Sequence, residues 1–187
     1  MSMLKDLGFA AALAVAGATG ASAATVVNFD DLTGSGVLAD GYGGINWGGA
    51  WSYYDLAQNP YTPSSGTERI YTTGNAPSGS FSFANAVSFL GFEVSGISAF
   101  DVSYEMFYNN ILVATSSVLF PSSTPSFLSS GYAGLVDKVS ISTSASFGFF
   151  VVDDVTYSAS PVPVPAGGLM LLAGLGGLLV LRRSRSI

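Results

Sequence analysis

The sequence predicts an all-β fold, a two-sheet antiparallel β-sandwich of the jelly-roll or lectin-like type, over residues 24–160. Short runs rich in Val, Ile, Phe, Tyr and Thr alternate there with clusters of Gly, Ser, Pro and Asn, which is typical of strands joined by turns. No long apolar stripe with a helical period interrupts this pattern. The chain of 187 residues is long enough for one domain with its own core.

The strands follow from the pattern in order along the chain. We predict them at 25–29, 81–83, 87–94, 100–108, 111–120, 135–142 and 146–157. Asn109 and Asn110 separate two of these runs, and because Asn tolerates a positive φ they predict a two-residue hairpin turn. The first and last strands are expected to lie side by side. Alternation in the last strand predicts one shared face for Phe147, Phe149, Val151, Asp153, Val155 and Tyr157.

The composition excludes several classes of functional site. The chain has no cysteine and no histidine, which rules out disulfides, Cys-His and Ser-His-Asp nucleophiles, and His-ligated zinc. Between residues 24 and 160 the basic residues are Arg69 and Lys138, against all but one of the 12 acidic residues of the chain. Such an acidic domain repels phosphate backbones, so we expect no nucleic-acid binding. It suits calcium, or the acids serve only to keep the domain soluble.

Residues 1–23 have the three parts of a secretory signal peptide. Lys5 and the amino terminus form a weakly positive start, and an apolar run follows over 7–18. That run would form a signal helix of about 18 Å, which is too short for a hydrocarbon core of about 30 Å. Ala21-Ser22-Ala23 supplies the small side chains that signal peptidase requires. We therefore expect cleavage after Ala23 and export of the remaining chain.

Residues 161–187 form a second targeting segment, also with three parts. Its prolines alternate with other residues and favour an extended stretch that a protease can bind. The apolar run 164–181 predicts a transmembrane helix of about 27 Å, just long enough to span a membrane. By the positive-inside rule the basic cluster behind it stays in the cytoplasm, which places the domain outside the cytoplasmic membrane. That cluster consists of Arg182, Arg183 and Arg185. A plain C-terminal membrane anchor is the alternative interpretation.

The stretch before the apolar run is Val162, Pro163, Val164, Pro165, Ala166 and Gly167. Together with the span and the arginines it resembles the PEP-CTERM class of sorting signals, in its VPLPA-CTERM variant, with Val164 where that variant has leucine. The resemblance implies recognition by an exosortase, a membrane-embedded cysteine transpeptidase of Gram-negative bacteria that make exopolysaccharide. It implies a transient anchor in the cytoplasmic membrane, facing the periplasm, and then transfer to the cell surface or extracellular matrix.

Four stretches of the domain carry a second resemblance, at 28–32, 40–47, 134–139 and 150–157. They are similar to the soluble domains common in PEP-CTERM proteins. This similarity implies a lectin-like or carbohydrate-module-like sandwich and an association with exopolysaccharide.

A glycine-rich stretch from Tyr42 to Tyr54 holds the aromatic residues that predict ligand binding, which are Trp47, Trp51, Tyr53 and Tyr54. Exposed aromatic rings stack on the apolar C–H faces of sugars, and glycine lets a loop approach its ligand closely. The flanking side chains of Asp40, Asn46 and Asp55 are the candidate partners of the sugar hydroxyls. The alternative is that the two tryptophans close one end of the core, because large aromatics are mostly buried.

Two pairs of aspartates lie at opposite ends of the domain, Asp30 with Asp31 and Asp153 with Asp154. If the terminal strands adjoin, one acid of each pair meets the other, and with Asn28 and backbone carbonyls they are candidates for a structural calcium site. At most one of each pair points inward, because adjacent residues of a strand face opposite ways. The alternative is four solvated aspartates, since no EF-hand-type loop is present.

These observations favour a polysaccharide-associated binding or structural module, not an enzyme. A carboxylate-dependent glycan hydrolase is the enzymatic alternative, because such an enzyme needs only two carboxylates across a cleft. Its candidates are Glu68, Glu93 and Glu105, and the last of these shares a predicted solvated face with Asp101 and Ser103. A passive surface spacer without a specific ligand is the third possibility.

Overall fold

A computed structural model describes residues 23–160 and shows an all-β, antiparallel fold with only two single-turn 3₁₀ segments in that part of the chain, at Tyr42–Gly44 and Thr73–Asn75. The strands alternate with glycine-rich turns, as the sequence pattern predicts. In chain order they are β1 (Ala24–Val27), β2 (Ser35–Val37), β3 (Ile45–Asn46), β4 (Trp51–Tyr54), β5 (Arg69–Thr72), β6 (Ser78–Gly96), β7 (Val102–Tyr108), β8 (Ile111–Thr115), β9 (Ser126–Ser129), β10 (Leu135–Thr143) and β11 (Phe150–Ala159).

The strands hydrogen-bond in the order β2-β4-β5-β11-β6-β10-β7-β8, with β1 added to β11 and with β3 and β9 added to β6. Strand β6 has 19 residues and links the two halves of this network. Its first part pairs with β10, and its last part pairs with β9 and β11. Strand β1 pairs with β11 in the register Ala24↔Ser158, so the predicted adjacency of the first and last strands is confirmed.

The half of the sheet that contains β2, β4 and β5 packs its apolar face against β6. Trp51 of β4 stacks edge-on against Phe81 of β6, with ring centroids 6.4 Å apart, although these two strands are not neighbours in the sheet. The indole N–H of Trp51 also donates to the carbonyl of Ser80 at 3.0 Å. Two apolar faces thus enclose one core, which is consistent with the predicted β-sandwich.

Most of the predicted strands are confirmed. The runs 81–83 and 87–94 are parts of the single strand β6, and the hairpin between β7 and β8 turns at Asn109 and Asn110, with φ of 50° and 64°. Strand β8 ends at Thr115, five residues before the predicted end at Phe120. The short strands β2 to β5 and β9 were not predicted, because they have only two to four residues and, unlike β1, contain no run of β-branched residues.

The prediction of one continuous face along the last strand is wrong. Strand β11 begins only at Phe150, and its register shifts between Asp153 and Thr156. Asp154 at this bulge has a φ of 48°. A bulge adds one residue and exchanges the two faces of the strand. Val152 therefore packs in the core before the bulge, whereas Val155 and Tyr157 pack there after it.

The two targeting segments lie almost entirely outside the described residues. This applies to residues 1–22 of the signal peptide 1–23 and to the whole tail 161–187 with its span 164–181. Between residues 23 and 160 no helix is long and apolar enough to cross a membrane.

Candidate functional site

The two tryptophans of the predicted aromatic platform are core residues. Trp47 and Trp51 are each 0 % exposed. The N–H of Trp47 donates to the carbonyl of Tyr42 at 3.0 Å, and its ring packs edge-on against Trp51 with centroids 6.2 Å apart. Neither indole has a free face for a sugar ring. The structure therefore supports the alternative in which both tryptophans fill the core, and it corrects the stacking role given to them.

The two tyrosines of the same platform point to opposite sides of strand β4. Tyr53 packs against the core, on the side of Trp51. Tyr54 lies on the other face, where it pairs with Ser35 of β2 and Arg69 of β5 and its ring contacts that of Tyr71. The alternation of a strand separates adjacent residues in this way. Of the four predicted ligand-binding aromatics, Tyr54 is the one on the outer face of the sheet.

A groove of about 650 Å³ lies over this outer face, opposite to the core. Its floor takes one residue from each of the four neighbouring strands β2, β4, β5 and β11, namely Ser35, Tyr54, Tyr71 and Val151. One wall comes from the connection between β4 and β5, through Leu56, Gln58 and Tyr61. The other wall is formed by Asn75 and the segment 147–150, which includes Phe147 and Phe149.

Four of the aromatic rings of the groove form two pairs. Tyr54 and Tyr71 meet edge to face, with centroids 5.3 Å apart and an angle of 85° between the ring planes. Phe147 and Phe149 lie 5.9 Å apart, and Phe147 is 56 % exposed. Such an exposed phenyl ring presents an apolar face to solvent. The groove thus offers flat aromatic surfaces next to the amide groups of Gln58 and Asn75.

Arg69 lies under Tyr54 and fixes the wall between β4 and β5. It is 1 % exposed, and its guanidinium carbon lies 4.0 Å from the centroid of the Tyr54 ring. The guanidinium donates to the carbonyl of Thr67 at 2.8 Å and to the carbonyl of Leu56. Burial raises the pKa of Tyr54, while the nearby Arg69 lowers it. Two of its guanidinium nitrogens donate to the backbone of the wall, while its Nε is buried without a hydrogen-bond partner, so Arg69 acts as a positioning residue for the groove.

Asp153 and Asp154 hold the same connection at a second point, through the segment Ser64 to Gly66. One carboxylate oxygen of Asp153 accepts the backbone N–H groups of Ser64 at 2.7 Å and Ser65 at 3.0 Å. Asp154 accepts the hydroxyl of Ser65 at 3.0 Å. Burial raises the pKa of Asp153 to about 7, although these N–H groups act in the opposite direction. The two aspartates therefore fasten the loop that forms one wall of the groove.

Both aspartate pairs have a member beside the segment 64–66 of this loop. The carboxylate of Asp30 lies against Gly66, on the segment that Asp153 and Asp154 bind. Asp30 also accepts the side-chain amide of Asn28 at 2.9 Å, and Asp31 accepts the hydroxyl of Tyr42. These carboxylates thus have protein donors as partners. Among residues 23–160, no group of three or more acidic side chains is arranged to hold a metal ion.

The remaining predicted polar residues stabilise turns. Asp40 accepts the N–H of Gly48 at 2.6 Å and lies within hydrogen-bonding distance of the Asn46 amide. Asp55 accepts the N–H of Gly34 at 3.0 Å. These contacts are typical of Asp in loops, where its short side chain satisfies backbone donors. None of the three residues lines the groove.

The three glutamates proposed for the hydrolase alternative lie apart from the groove lining. Glu68 precedes β5 and is 1 % exposed, and burial raises its pKa. Glu93 of β6 pairs opposite Asp153, and burial also raises its pKa. Glu105 is an exposed residue of β7, in agreement with the solvated face predicted for it.

Sequence reasoning missed most of the groove. Its unpredicted aromatic residues are Tyr61, Tyr71, Phe147, Phe149 and Phe150. Arg69-Ile70-Tyr71-Thr72 does carry a short alternating signal, with Ile70 and Thr72 buried and Tyr71 on the other face. Phe147 was instead assigned to the last strand, because the sequence does not reveal where that strand begins.

Comparison with protein-family models found no match, and no curated protein and no solved structure is significantly similar to this chain.

Proposed function

We propose that this chain is an exported protein of the cell surface or extracellular matrix whose domain, a lectin-like jelly-roll sandwich, binds polysaccharide. The observation that carries the proposal is the groove across β2, β4, β5 and β11. It combines exposed aromatic faces with amide and hydroxyl groups on a rigid sheet. This combination suits sugar chains, because aromatic rings cover the apolar faces of the sugar and polar groups bind its hydroxyls.

The groove is built to keep its shape. Arg69 holds the wall by donating hydrogen bonds to two backbone carbonyls. Asp153 holds the same connection by accepting hydrogen bonds from two backbone N–H groups. A binding surface that is already ordered loses little conformational entropy when its ligand arrives. This matters for sugars, since each of their individual contacts is weak.

The sorting part of the proposal rests on the two targeting segments of the sequence. The expected partners are signal peptidase at Ala23, the cytoplasmic membrane at 164–181, and an exosortase at the motif 162–167. We expect that replacing Pro165 and Ala166 leaves the uncleaved chain in the membrane fraction, whereas the natural chain reaches the surface. Immunoblots of membrane and surface fractions measure this, and equal distribution of the two chains would contradict the proposal.

Binding is tested by retention of the full-length protein, purified in mild detergent, on exopolysaccharide from its own host. We expect retention by the natural protein and loss of at least about tenfold in affinity for Tyr71→Ala or Phe147→Ala, because each removes a stacking surface. Phe120→Ala is the matched control, since Phe120 is 63 % exposed and lies outside the groove. No retention by the natural protein would leave a passive spacer as the better description.

The same assay tests the predicted structural calcium. If calcium supports the fold, a chelator lowers the melting temperature and weakens retention. An unchanged melting temperature would exclude calcium at Asp30, Asp31, Asp153 and Asp154. A hydrolase would instead release reducing ends from the exopolysaccharide, and this release would be lost on a Glu→Gln exchange at Glu68, Glu93 or Glu105.

A further inference from the structure

The lining of the groove contains no charged side chain. Hydroxyl groups come from Ser35 and from the tyrosines, and amide groups come from Gln58 and Asn75. The remaining surface is aromatic or aliphatic. A carboxylate or sulfate that enters such a groove loses part of its hydration, and its charge gains no opposite charge in return.

Both basic side chains of the described domain are used elsewhere. The guanidinium of Arg69 is buried beneath Tyr54 and donates to backbone carbonyls. Lys138 lies on β10, over the ring of Phe107 at 5.5 Å, beside a separate pocket at the β7–β8 hairpin. Neither cation lines the groove. An anionic ligand would therefore find no cation there.

Acidic residues lie close in the sequence to residues of the groove. Asp55 follows the groove residue Tyr54 directly, and Asp154 follows the groove residue Val151 within three positions on β11. The acidic residues of the domain far outnumber its two cations. The resulting potential repels polyanions, most strongly at low salt.

We infer that the groove takes an uncharged polysaccharide and rejects acidic ones that carry uronate, pyruvate or sulfate groups. This inference rests on the proposed polysaccharide binding and names the class of ligand. Recognition then comes from ring stacking and hydrogen bonds to hydroxyl groups. Its affinity depends little on ionic strength.

The first test uses exopolysaccharide of the host, separated by anion exchange into neutral and acidic fractions. A portion of the acidic fraction is carboxyl-reduced, which replaces each carboxylate with a hydroxymethyl group and keeps the sugar backbone. We expect the full-length protein to be retained by the neutral fraction, and by the acidic fraction more strongly after reduction than before. Retention on the neutral fraction is expected to change less than about twofold between ~50 and ~500 mM NaCl.

The outcomes separate the two proposals. Stronger retention on the untreated acidic fraction, lost after reduction, would overturn the inference and leave the proposed polysaccharide binding standing. Absence of retention on every fraction would overturn both.

A gain-of-function variant tests the inference without risk to the fold. Gln58 is an exposed residue of the groove wall, and Gln58→Lys places a cation where the groove has none. We expect this variant to retain the acidic fraction at least about threefold more strongly than the natural protein. Thr115→Lys is the control, because Thr115 is exposed on β8 and lies outside the groove. An equal gain in both variants would overturn the inference, since it would reflect net charge alone.

Discussion

Two aromatic clusters lie on opposite sides of one sheet, and strand β4 contributes to both. The core cluster contains Trp47, Trp51 and Phe81, all at most 2 % exposed. The groove cluster contains Tyr54 and Tyr71, with Phe147 at its rim. The tryptophans have the larger stacking surface, yet they serve stability, while tyrosine and phenylalanine face solvent. The side of the sheet, more than the residue type, decides which aromatic is available to a ligand.

The largest expected effect is in the core cluster. Trp51→Ala removes a fully buried indole and its hydrogen bond to Ser80, so we expect a loss of about 3–5 kcal/mol in the free energy of unfolding. Urea denaturation followed by circular dichroism measures this. Trp51→Phe serves as a milder variant that retains most of the apolar volume. A loss below about 1 kcal/mol in Trp51→Ala would show that this cluster is not the core of the domain.

The next largest effect is expected at Arg69, which pairs opposite Tyr54 of the groove cluster. Arg69→Ala leaves the carbonyls of Thr67 and Leu56 without their donor and removes the support of Tyr54, so we expect a loss of about 2–4 kcal/mol. Arg69→Lys keeps the charge but has no planar fork to reach two carbonyls, so it is expected to rescue only part of the loss. Denaturation and glycan retention are measured together. Full rescue by lysine would show that charge alone matters at this position.

The pH dependence of stability tests the role of Asp153, which holds one wall of the groove. The folded-state pKa of Asp153 is about 7, above the usual value, so its contribution to stability is fully present at acidic pH and is lost as the pH rises through about 7. Burial raises the pKa of Glu68 and Glu93 in the same direction. The melting temperature should therefore fall between about pH 4 and pH 7, the interval between the unfolded and folded pKa values of Asp153.

Asp153→Asn tests this origin, because an amide does not titrate. We expect the fall in melting temperature over this pH range to become clearly smaller in the variant. Asp101→Asn is the control, since hydrogen bonds to Ser144 lower the pKa of the half-buried Asp101. An unchanged pH profile in Asp153→Asn would assign the effect to other carboxylates.

The smallest expected effect on stability is at the rim of the groove. Phe147 is 56 % exposed and lies before the first residue of β11, so Phe147→Ala should change the free energy of unfolding by no more than about 0.5 kcal/mol. Its effect on glycan retention is expected to be large. Equal losses of stability and of retention would mean that Phe147 belongs to the core.

The long strands were predictable and the groove was not, for physical reasons. Strands β6, β7, β10 and β11 have seven or more residues each, enough to show an alternating pattern. The region from Gly34 to Gly66 instead has seven glycines with a positive φ at its turns, and the strands between them are too short for a period to appear. The bulge at Asp154 reversed the predicted faces of the last strand.

The site itself depends on contacts between distant parts of the chain. Tyr54 was predicted as a ligand-binding residue, but its groove partners Tyr71 and Phe147 come from β5 and from the segment before β11. The pairing of Ile70 with Val152 brings these two elements together. No local pattern around Tyr54 contains that information, since it arises from the order of strands in the sheet.

Under the proposed attachment at the C-terminal tail, the adjacency of β1 and β11 has a mechanical consequence. Val151 of β11 lies in the groove floor, and Ala159 ends the same strand just before the tail begins in the sequence. A force between a bound polymer and the tail therefore runs along β11. The strand is hydrogen-bonded to β6 on one side and to β1 and β5 on the other. Such a load acts on several hydrogen bonds at the same time. A strand loaded in this way resists tension better than one whose hydrogen bonds open one after another.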